Sequence, residues 1–577
     1  MTAIVYAVPV FFALIAIEAL VGLRRGRNTY RINDAVNSIS LGILSQITAV
    51  FTRLIRIGIY AAVFQYVALF ELSAGDWRVW IGALLLYDFC YYWHHRLGHE
   101  CAIFWASHVV HHQSQDFNLS TALRQTSSGA LLGWIFYLPM AILGVPPLVF
   151  AVVGLVDLLY QYWIHTEHIG KLGWFDRVFA SPSNHRVHHA VNDKYLDKNY
   201  GGILIIWDRM FGTFVEEEET CVYGTRTQLN SWDPVWANLE VYAALIKSSW
   251  RARGAADKIR VWLKPPGWQP PDLEQPTDKP AFELSTVRLY NPAVSTGVGI
   301  LSAVQLAALV VAACLFLLNA ETLPLMHSGL IYTALVAGLW AIGGLLQKRL
   351  SLVEALFIEA AAITCLCQPL GWSELYLVMK PLSLSLAVLA ALLRGGPTSM
   401  RVLLVLGLVA SLAGDVLLML PGQFVPGLAA FLTAHLLYIA LMTRDAPLLP
   451  SRPAVAVVIA IAGSVLALIW PSLPSGLKAP VAAYVGVIAL MAMQAIGRAT
   501  VHRSGASIAV AAGALFFMAS DTALAINKFV ASDATLAALV LPTYYTAQAL
   551  ISFYVLPRPE VEPADMPPHP QLTAAAA

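Results

Sequence analysis

A chain of 577 residues that is 58% hydrophobic and only 12% charged lies far from soluble globular composition. A net charge of +1 leaves no basic footprint, so nucleic acid is excluded as a partner. The six cysteines are scattered, with Cys314, Cys365 and Cys367 inside apolar runs, which argues against a disulfide framework.

The remaining class is an all-α polytopic membrane protein long enough for more than one domain. The first apolar run, 4–23, lacks a small-residue cleavage site and is followed by Arg24, Arg25 and Arg27. It is therefore expected to be a retained anchor. Further runs fall at 38–70, interrupted by Arg53 and Arg56, and at 77–93, 131–145 and 148–164. The last two are short enough to dip into the bilayer without crossing it. A polar segment spans about 165–295, with an acidic run at Glu216–Glu219 and a Pro- and charge-rich stretch at 264–280. Apolar runs resume at 296–319, 329–346, 352–369, 373–393, 401–420, 427–443, 453–470, 480–497, 506–526 and 536–556. The tail after Pro557 is Pro- and Ala-rich and is expected to be disordered.

Alternating these crossings gathers Arg24–Arg31, Lys348, Arg349, Arg394, Arg444, Arg498, Arg503 and Arg558 on one side. The opposite loops are almost free of Lys and Arg, the exceptions being Arg78 and Lys478. The positive-inside rule makes the first side cytoplasmic, as in a bacterial-type inner membrane.

Four histidine clusters lie on that side: His94–His99, His108–His112, His165–His168 and His185–His189. No cysteine lies inside a cluster, so neither a zinc-finger nor an iron–sulfur pattern fits. Residues i, i+3 and i+4 share a helix face, so His95 pairs with His99, and His108 groups with His111 and His112. His165, His168, His185, His188 and His189 complete a candidate ligand set for two metals with about four imidazoles each. His94 points about 100° away from His95 and is expected outside that set. Asp88 shares the stripe of His95, and Asp157 and Gln161 share that of His165. Each Asp is a candidate to fix a ligand tautomer. Glu100 and Glu167 adjoin clusters as candidate bridging or supporting carboxylates. A bare metal store is the alternative; it predicts loosely held metal and no O2 consumption.

The run Asp88-Phe89-Cys90-Tyr91-Tyr92-Trp93-His94-His95-Arg96-Leu97-Gly98-His99-Glu100 resembles the first histidine box of the fatty acid hydroxylase/sterol desaturase superfamily. Over about 1–290 the likeness is strongest to its alkylglycerol monooxygenase branch. It is carried by His111-His112-Gln113-Ser114, Asn118–Gln125 with Asn118 and Arg124, His165-Thr166-Glu167, Asn199-Tyr200-Gly201-Gly202 and Trp207–Thr213. Asn184 departs from the pattern, which often has another His there. The resemblance implies a non-haem di-iron oxygenase using O2 on a membrane lipid, with an external electron donor. That branch uses tetrahydrobiopterin, but no pterin site or fused electron-transfer domain is evident here, so another reductant stays open. A glycerol ether hydroxylated beside its oxygen collapses to a fatty aldehyde and an alcohol. A sterol, carotenoid or fatty-acyl hydroxylase or desaturase is the alternative.

In the C-terminal half, charge within a span is costly and marks a site or pathway. Lys380, Asp415, His435 and Asp521 all fall in the same half of the bilayer when placed by the span positions. Ala413-Gly414-Asp415 and Ala519-Ser520-Asp521 are similar words on separate helices, a hint of internal duplication. Lys380-Pro381-Leu382, Gly414–Leu418, Ala434–Tyr438, Gly513–Phe516, Ser520-Asp521 and Tyr544–Gln548 resemble the YhhN family over about 352–557. That resemblance implies a lysoplasmalogenase, which hydrolyses a vinyl ether. Two Asp in a low-dielectric site can divide into one neutral acid and one carboxylate. Asp415 and Asp521 are the candidates, with Lys380 and His435 tuning the pair or holding a headgroup. A non-catalytic binding or transport module is the alternative.

The expected organisation is thus a histidine-box di-iron domain at 1–290, connecting helices at 291–351, a YhhN-like bundle at 352–557 and a tail at 558–577. The sequence does not specify an oligomeric state.

Overall fold

The computed structural model describes residues 2–273, 282–557, 566–569 and 571–572. Among these, regular structure is helical, with only isolated bridges such as Phe179–Leu204 in place of strands. Eleven described helices are long and apolar enough to cross a membrane.

Four runs read as spans fall short of that standard, each for a visible reason. The Trp77–Glu100 helix has the length, but Asp88, Arg96, Glu100 and three histidines lower its hydropathy. The 131–145 run breaks into the short turns Gly129–Leu131 and Gly133–Tyr137 and the helix Leu138–Ile142. Pro147–Trp163 has 17 residues and Leu352–Cys367 has 16. At 1.5 Å per residue such helices reach only about 25 Å, less than the ~30 Å hydrocarbon core.

The chain forms two compact units. The first takes the described residues within 1–321, 342–347 and 563–577, and the second those within 322–341 and 348–562. The stretch expected as connecting helices, 291–351, is divided between the two units. The Thr296–Asn319 helix packs within the first unit, against the long Ile32–Val67 helix.

In the first unit, polar side chains set where helices start. The Asp76 carboxylate accepts from the Arg78 amide at 2.9 Å and opens the Trp77–Glu100 helix. That helix stops at Cys101, whose extended backbone turns the chain into the Ala102–His112 helix. Ser181 caps the short Pro182–His189 helix. These three helices, with the chain just after Pro147–Trp163, carry all four histidine clusters.

The tail differs in part from expectation. Residues 558–565, 570 and 573–577 lie outside the described residues, as does 274–281 of the Pro- and charge-rich stretch. Residues 566–569 and 571–572 are ordered against the first unit. The Leu289 amide donates to the Pro567 carbonyl at 2.8 Å, and His569 is buried. Backbone pairing and one buried ring supply what the Pro- and Ala-rich composition does not.

In the second unit, consecutive antiparallel helices pack around a core that includes Phe357, Leu404, Tyr438, Met491, Phe517 and Ala547. Small residues permit close approach, as is usual between membrane helices. A Cβ on Gly414 would lie 2.6 Å from the Phe431 ring, so only glycine fits there. That contact fixes the Thr398–Met419 helix at the residue next to Asp415.

Candidate functional site

The histidines of the first unit meet in two groups, within each of which the ligand atoms lie within 4.8 Å of one another. His95, His99, His108, His112 and His188 form one; His111, His165, His185 and His189 form the other. Helix geometry divides them. On the Ala102–His112 helix, His108 and His112 serve one group and His111 the other. On Pro182–His189, His185 and His189 serve one group and His188 the other.

The hydrogen bonds show which ring nitrogens face inward. His95 Nδ1 lies 2.7 Å from the Tyr200 carbonyl, His111 Nδ1 2.9 Å from that of Arg124, and His165 Nδ1 2.7 Å from that of Gln161. His188 Nδ1 lies 2.9 Å from the Lys198 carbonyl. A carbonyl can only accept, so each Nδ1 carries the proton and each neutral ring presents a bare Nε2. His99 Nδ1 faces the Asp197 carboxylate at 3.5 Å.

The Nε2 atoms of the rings converge on one another. His111 Nε2 and His165 Nε2 are 3.1 Å apart, and both are lone-pair ends. His95 Nε2 is 3.0 Å from His108 Nε2, and His185 Nε2 is 3.0 Å from His165 Nε2. His99 Nε2 and His188 Nε2 are buried with no hydrogen-bond partner. Lone pairs crowded this closely repel unless a cation sits among them. The donor set is all imidazole, which suits borderline transition-metal ions. Burial holds His112, His165, His185, His188 and His189 well below the ordinary imidazole range, and His111 down to about 4. The rings are therefore neutral at neutral pH, the form that binds metal.

His168 corrects the expected ligand set, since it lies in neither group. The Pro147–Trp163 helix ends before His165, so the i, i+3 relation does not extend to His168. Its carbonyl instead accepts from Arg25 at 2.9 Å. His94 also lies apart, stacked on Phe136 at 4.9 Å between centroids.

The supporting residues act mostly at one remove. The Asp88 carboxylate meets no imidazole; it accepts from the Ile203 amide at 2.7 Å, the Leu204 amide at 3.0 Å and Trp207 Nε1 at 2.8 Å. It thereby pins the loop whose Tyr200 carbonyl holds His95. Asp157 accepts from Gln161 Nε2 at 2.7 Å, and the carbonyl of that same Gln161 holds His165. Arg124 is buried, donates to the Val110 carbonyl at 2.7 Å and offers its own carbonyl to His111. Asn118 caps the next short helix through the Ser120 amide and donates to the Thr29 carbonyl at 2.6 Å. Glu100 pairs with Arg96 at 2.9 Å and Glu167 with Arg27 at 2.5 Å, so both carboxylates turn to arginine. Asn184 donates to the Asp176 and Phe179 carbonyls, outside both groups.

Several residues that hold the centre were not singled out in sequence. Asp208 accepts from the Tyr200 and Gly201 amides at 2.8 and 2.7 Å. Asn199 adopts a left-handed backbone (φ 56°), which Asn tolerates better than most residues, and ties its loop to Val215 on both sides of the amide. A Cβ on Gly202 would lie 2.8 Å from Asp157 Oδ1 and from the Tyr91 ring, so glycine alone fits between them.

The second unit holds a cavity of about 450 Å³. Apolar side chains such as Leu428, Ile469, Val485 and Leu541 line it, together with Lys380, Asp415 and Asp521. Lys380 Nζ is 3.3 Å from Asp415 Oδ1, and Tyr544 donates to Asp415 Oδ2 at 2.7 Å. Tyr484 donates to Asp521 Oδ2 at 2.5 Å, and His435 Nε2 is 3.0 Å from the Tyr484 hydroxyl. Three of the four ionisable residues expected from the sequence thus line one cavity, and the fourth, His435, contacts it through the Tyr484 hydroxyl. Tyr484 belongs to none of the sequence words that marked this half.

Fold and sites together define an all-helical multi-pass membrane protein with two groups of imidazoles placed as metal ligands in one unit and a cavity lined by two carboxylates in the other. Residues 80–213 match the Fatty acid hydroxylase family and residues 375–555 match the YhhN family. Human alkylglycerol monooxygenase is 42% identical over 265 residues, covering 46% of this chain and 59% of the relative. The Xenopus tropicalis protein of the same name is 41% identical over 273 residues, covering 47% of this chain and 61% of the relative. Ornithine lipid hydroxylase OlsE of Rhizobium tropici is 30% identical over 139 residues, covering 23% of this chain and 40% of the relative. The chain thus spans about three fifths of the length of the alkylglycerol monooxygenases it matches. No solved structure matches the chain.

Proposed function

We propose that this protein is a bifunctional ether-lipid enzyme. Its first half would be an O2-dependent di-iron monooxygenase that cleaves alkylglycerol ethers, and its second half a hydrolase of the vinyl ether of lysoplasmalogens. The observation that carries the first reading is the convergence of nine imidazoles in two groups, four of them with Nδ1 held on a backbone carbonyl so that Nε2 is bare. Those imidazoles would hold two iron ions, which when bound supply O2 activation for oxidation of an unactivated C–H bond. Tyr200, Arg124, Gln161 and Lys198 fix the ring orientations through their carbonyls. The similarity to alkylglycerol monooxygenases supports a glycerol ether as substrate. Oxygenation of the carbon beside the ether oxygen leaves a hemiacetal, which collapses to a fatty aldehyde and a glycerol hydroxyl. The electron donor is external, with tetrahydrobiopterin the first candidate. The basic residues flanking the spans support a cytoplasmic histidine centre.

For the second half, the YhhN match and the two Asp of the apolar cavity support acid-catalysed addition of water to an enol ether. Both halves would then release a fatty aldehyde from a glycerol ether. Anaerobic purification with metal analysis, followed by aldehyde detection on alkyl- and alkenyl-glycerolipids, tests both halves together. Two irons per chain and aldehyde from both lipids are expected. Untouched alkylglycerols alongside oxidation of another lipid would refute the ether assignment of the first half. The similarity to an ornithine lipid hydroxylase favours an amino-acid-linked lipid as the second reading.

A further inference from the structure

The two Asp of the cavity have unlike surroundings, and the difference has chemical content. Asp415 has both oxygens occupied: Oδ1 by the Lys380 ammonium at 3.3 Å and Oδ2 by the Tyr544 hydroxyl at 2.7 Å. Tyr544 is itself held by Gln548 Nε2 at 3.4 Å, and Tyr438 donates to Gln548 Oε1 at 2.9 Å. A cation and a donor on one carboxyl group stabilise its ionised form. The side chain is only 3% exposed.

Asp521 has no Lys or Arg within ion-pair distance among the described residues; the titratable group facing it is His435, whose Nε2 lies 3.8 Å from Oδ2. Its Oδ2 accepts from Tyr484 at 2.5 Å, and no contact to its Oδ1 matches the one Lys380 makes to Asp415. Its side chain is 20% exposed, so it presents more of its surface to the cavity than Asp415 does. The Tyr484 oxygen in turn accepts from His435 Nε2 at 3.0 Å. His435 Nδ1 is buried without a partner, so the tautomer protonated at Nε2 satisfies this chain and leaves Nδ1 as the bare nitrogen.

We infer that Asp521 is the acid and Asp415 the base of the vinyl-ether reaction, with Tyr484 as a positioning residue that aims Asp521. This assignment rests on the hydrolase reading above. Asp521 gives its proton to the β-carbon of the enol ether, leaving an oxocarbenium ion and the Asp521 carboxylate. Water adds to the cationic carbon and passes a proton to Asp415. In the collapse of the hemiacetal, the Asp521 carboxylate takes the hydroxyl proton and Asp415 returns its proton to the leaving ether oxygen. The sum is enol ether plus water giving aldehyde plus alcohol, with both Asp restored. Lys380 keeps Asp415 ionised before each turnover and His435 holds Tyr484 in line.

The test uses the full purified chain in lipid nanodiscs, with 1-alkenyl-lysophosphatidylethanolamine as probe and trapped aldehyde as readout. D415N and D521N are each expected to lower kcat by about 100-fold or more. Formate, a small carboxylate base, should restore at least tenfold to D415N and nothing to D521N. Y484F should lower kcat about tenfold with KM unchanged and enlarge the solvent deuterium isotope effect, while a merely structural role would leave that effect alone. Thermal unfolding of each variant checks that it folds, and D521E should recover part of the D521N loss. Formate rescue of D521N, or of neither variant, overturns the division of roles. Absence of aldehyde from the unaltered chain refutes the hydrolase reading itself.

Discussion

The two candidate sites handle polar groups in an apolar environment in opposite ways. The histidine centre crowds identical imidazole donors together and leaves the bare Nε2 atoms of His111 and His165 facing each other, an arrangement that suits an added positive charge. The carboxylate cavity brings its own cation, Lys380, and gives each Asp a different set of partners. In the first, sameness of ligands makes a site for ions. In the second, two identical residues have unlike neighbours, which is the basis of the roles proposed for them. The outer contacts follow suit: backbone carbonyls hold the rings in one, tyrosine hydroxyls hold the carboxylates in the other.

The largest effect should come from removing one ring. His111→Ala deletes a member of the four-imidazole group and the direct partner of His165. One of two metal ions should be lost by elemental analysis, and alkylglycerol oxidation should fall by at least about 100-fold. Vinyl-ether hydrolysis should stay within about twofold of the unaltered protein, given separate units. An equal loss of both activities would break the contrast, because the two sites would then be one functional device.

The next effect is smaller because it acts through a carbonyl. Asp208→Asn replaces one of the two carboxylate oxygens that hold the Tyr200 and Gly201 amides. The Tyr200 carbonyl should then hold His95 less firmly. Metal retention against a chelator should weaken about tenfold, the usual scale for outer partners of a ligand. Retention equal to the unaltered protein would mean that the loop does not orient His95. Gly202→Ala should act on stability: its Cβ meets Asp157 Oδ1 and Tyr91 at 2.8 Å, which overpacks the site by about 1–3 kcal/mol. A lowered melting temperature of the metal-loaded protein checks it.

The helical multi-pass architecture and the two family likenesses were legible because each rests on side-chain type and period. Long apolar runs and His at i, i+3 and i+4 survive in any fold that keeps those helices. The failures share a physical cause. His168 sits at helical spacing from His165, but the helix stops two residues earlier, and periodicity carries no information past its end. Asp88 lies on the His95 stripe yet serves three donors of a loop more than a hundred residues away. The carbonyls of Tyr200, Arg124, Gln161 and Lys198 were invisible because every residue has one. Only the neighbouring cues, Asn199 with its left-handed backbone and the Gly201-Gly202 pair, carried a signal. Tyr484 was missed because a lone Tyr in an apolar helix is ordinary; only its place between His435 and Asp521 gives it meaning.

The smallest effect concerns a histidine of a third kind, one that meets neither another imidazole nor a carboxylate. His569 is buried, its Nε2 lies 3.1 Å from the Gln115 carbonyl, and its Nδ1 has no partner. Burial lowers its pKa from 6.5 to about 4. The docked segment therefore excludes a proton that the free segment binds. Docking is at full strength above about pH 6.5 and is lost progressively as pH falls from there toward 4. At pH 5.5 the docking equilibrium should be weaker by about tenfold than at pH 8. Amide exchange at Leu289, whose N–H is held by the Pro567 carbonyl, reports this after correction for intrinsic exchange. His569→Gln keeps a donor for Gln115 but cannot titrate, so its Leu289 protection should be flat across the same range. A pH-independent Leu289 in the unaltered protein would show that the ring can charge in place, and that a single buried imidazole tolerates what the crowded centre does not.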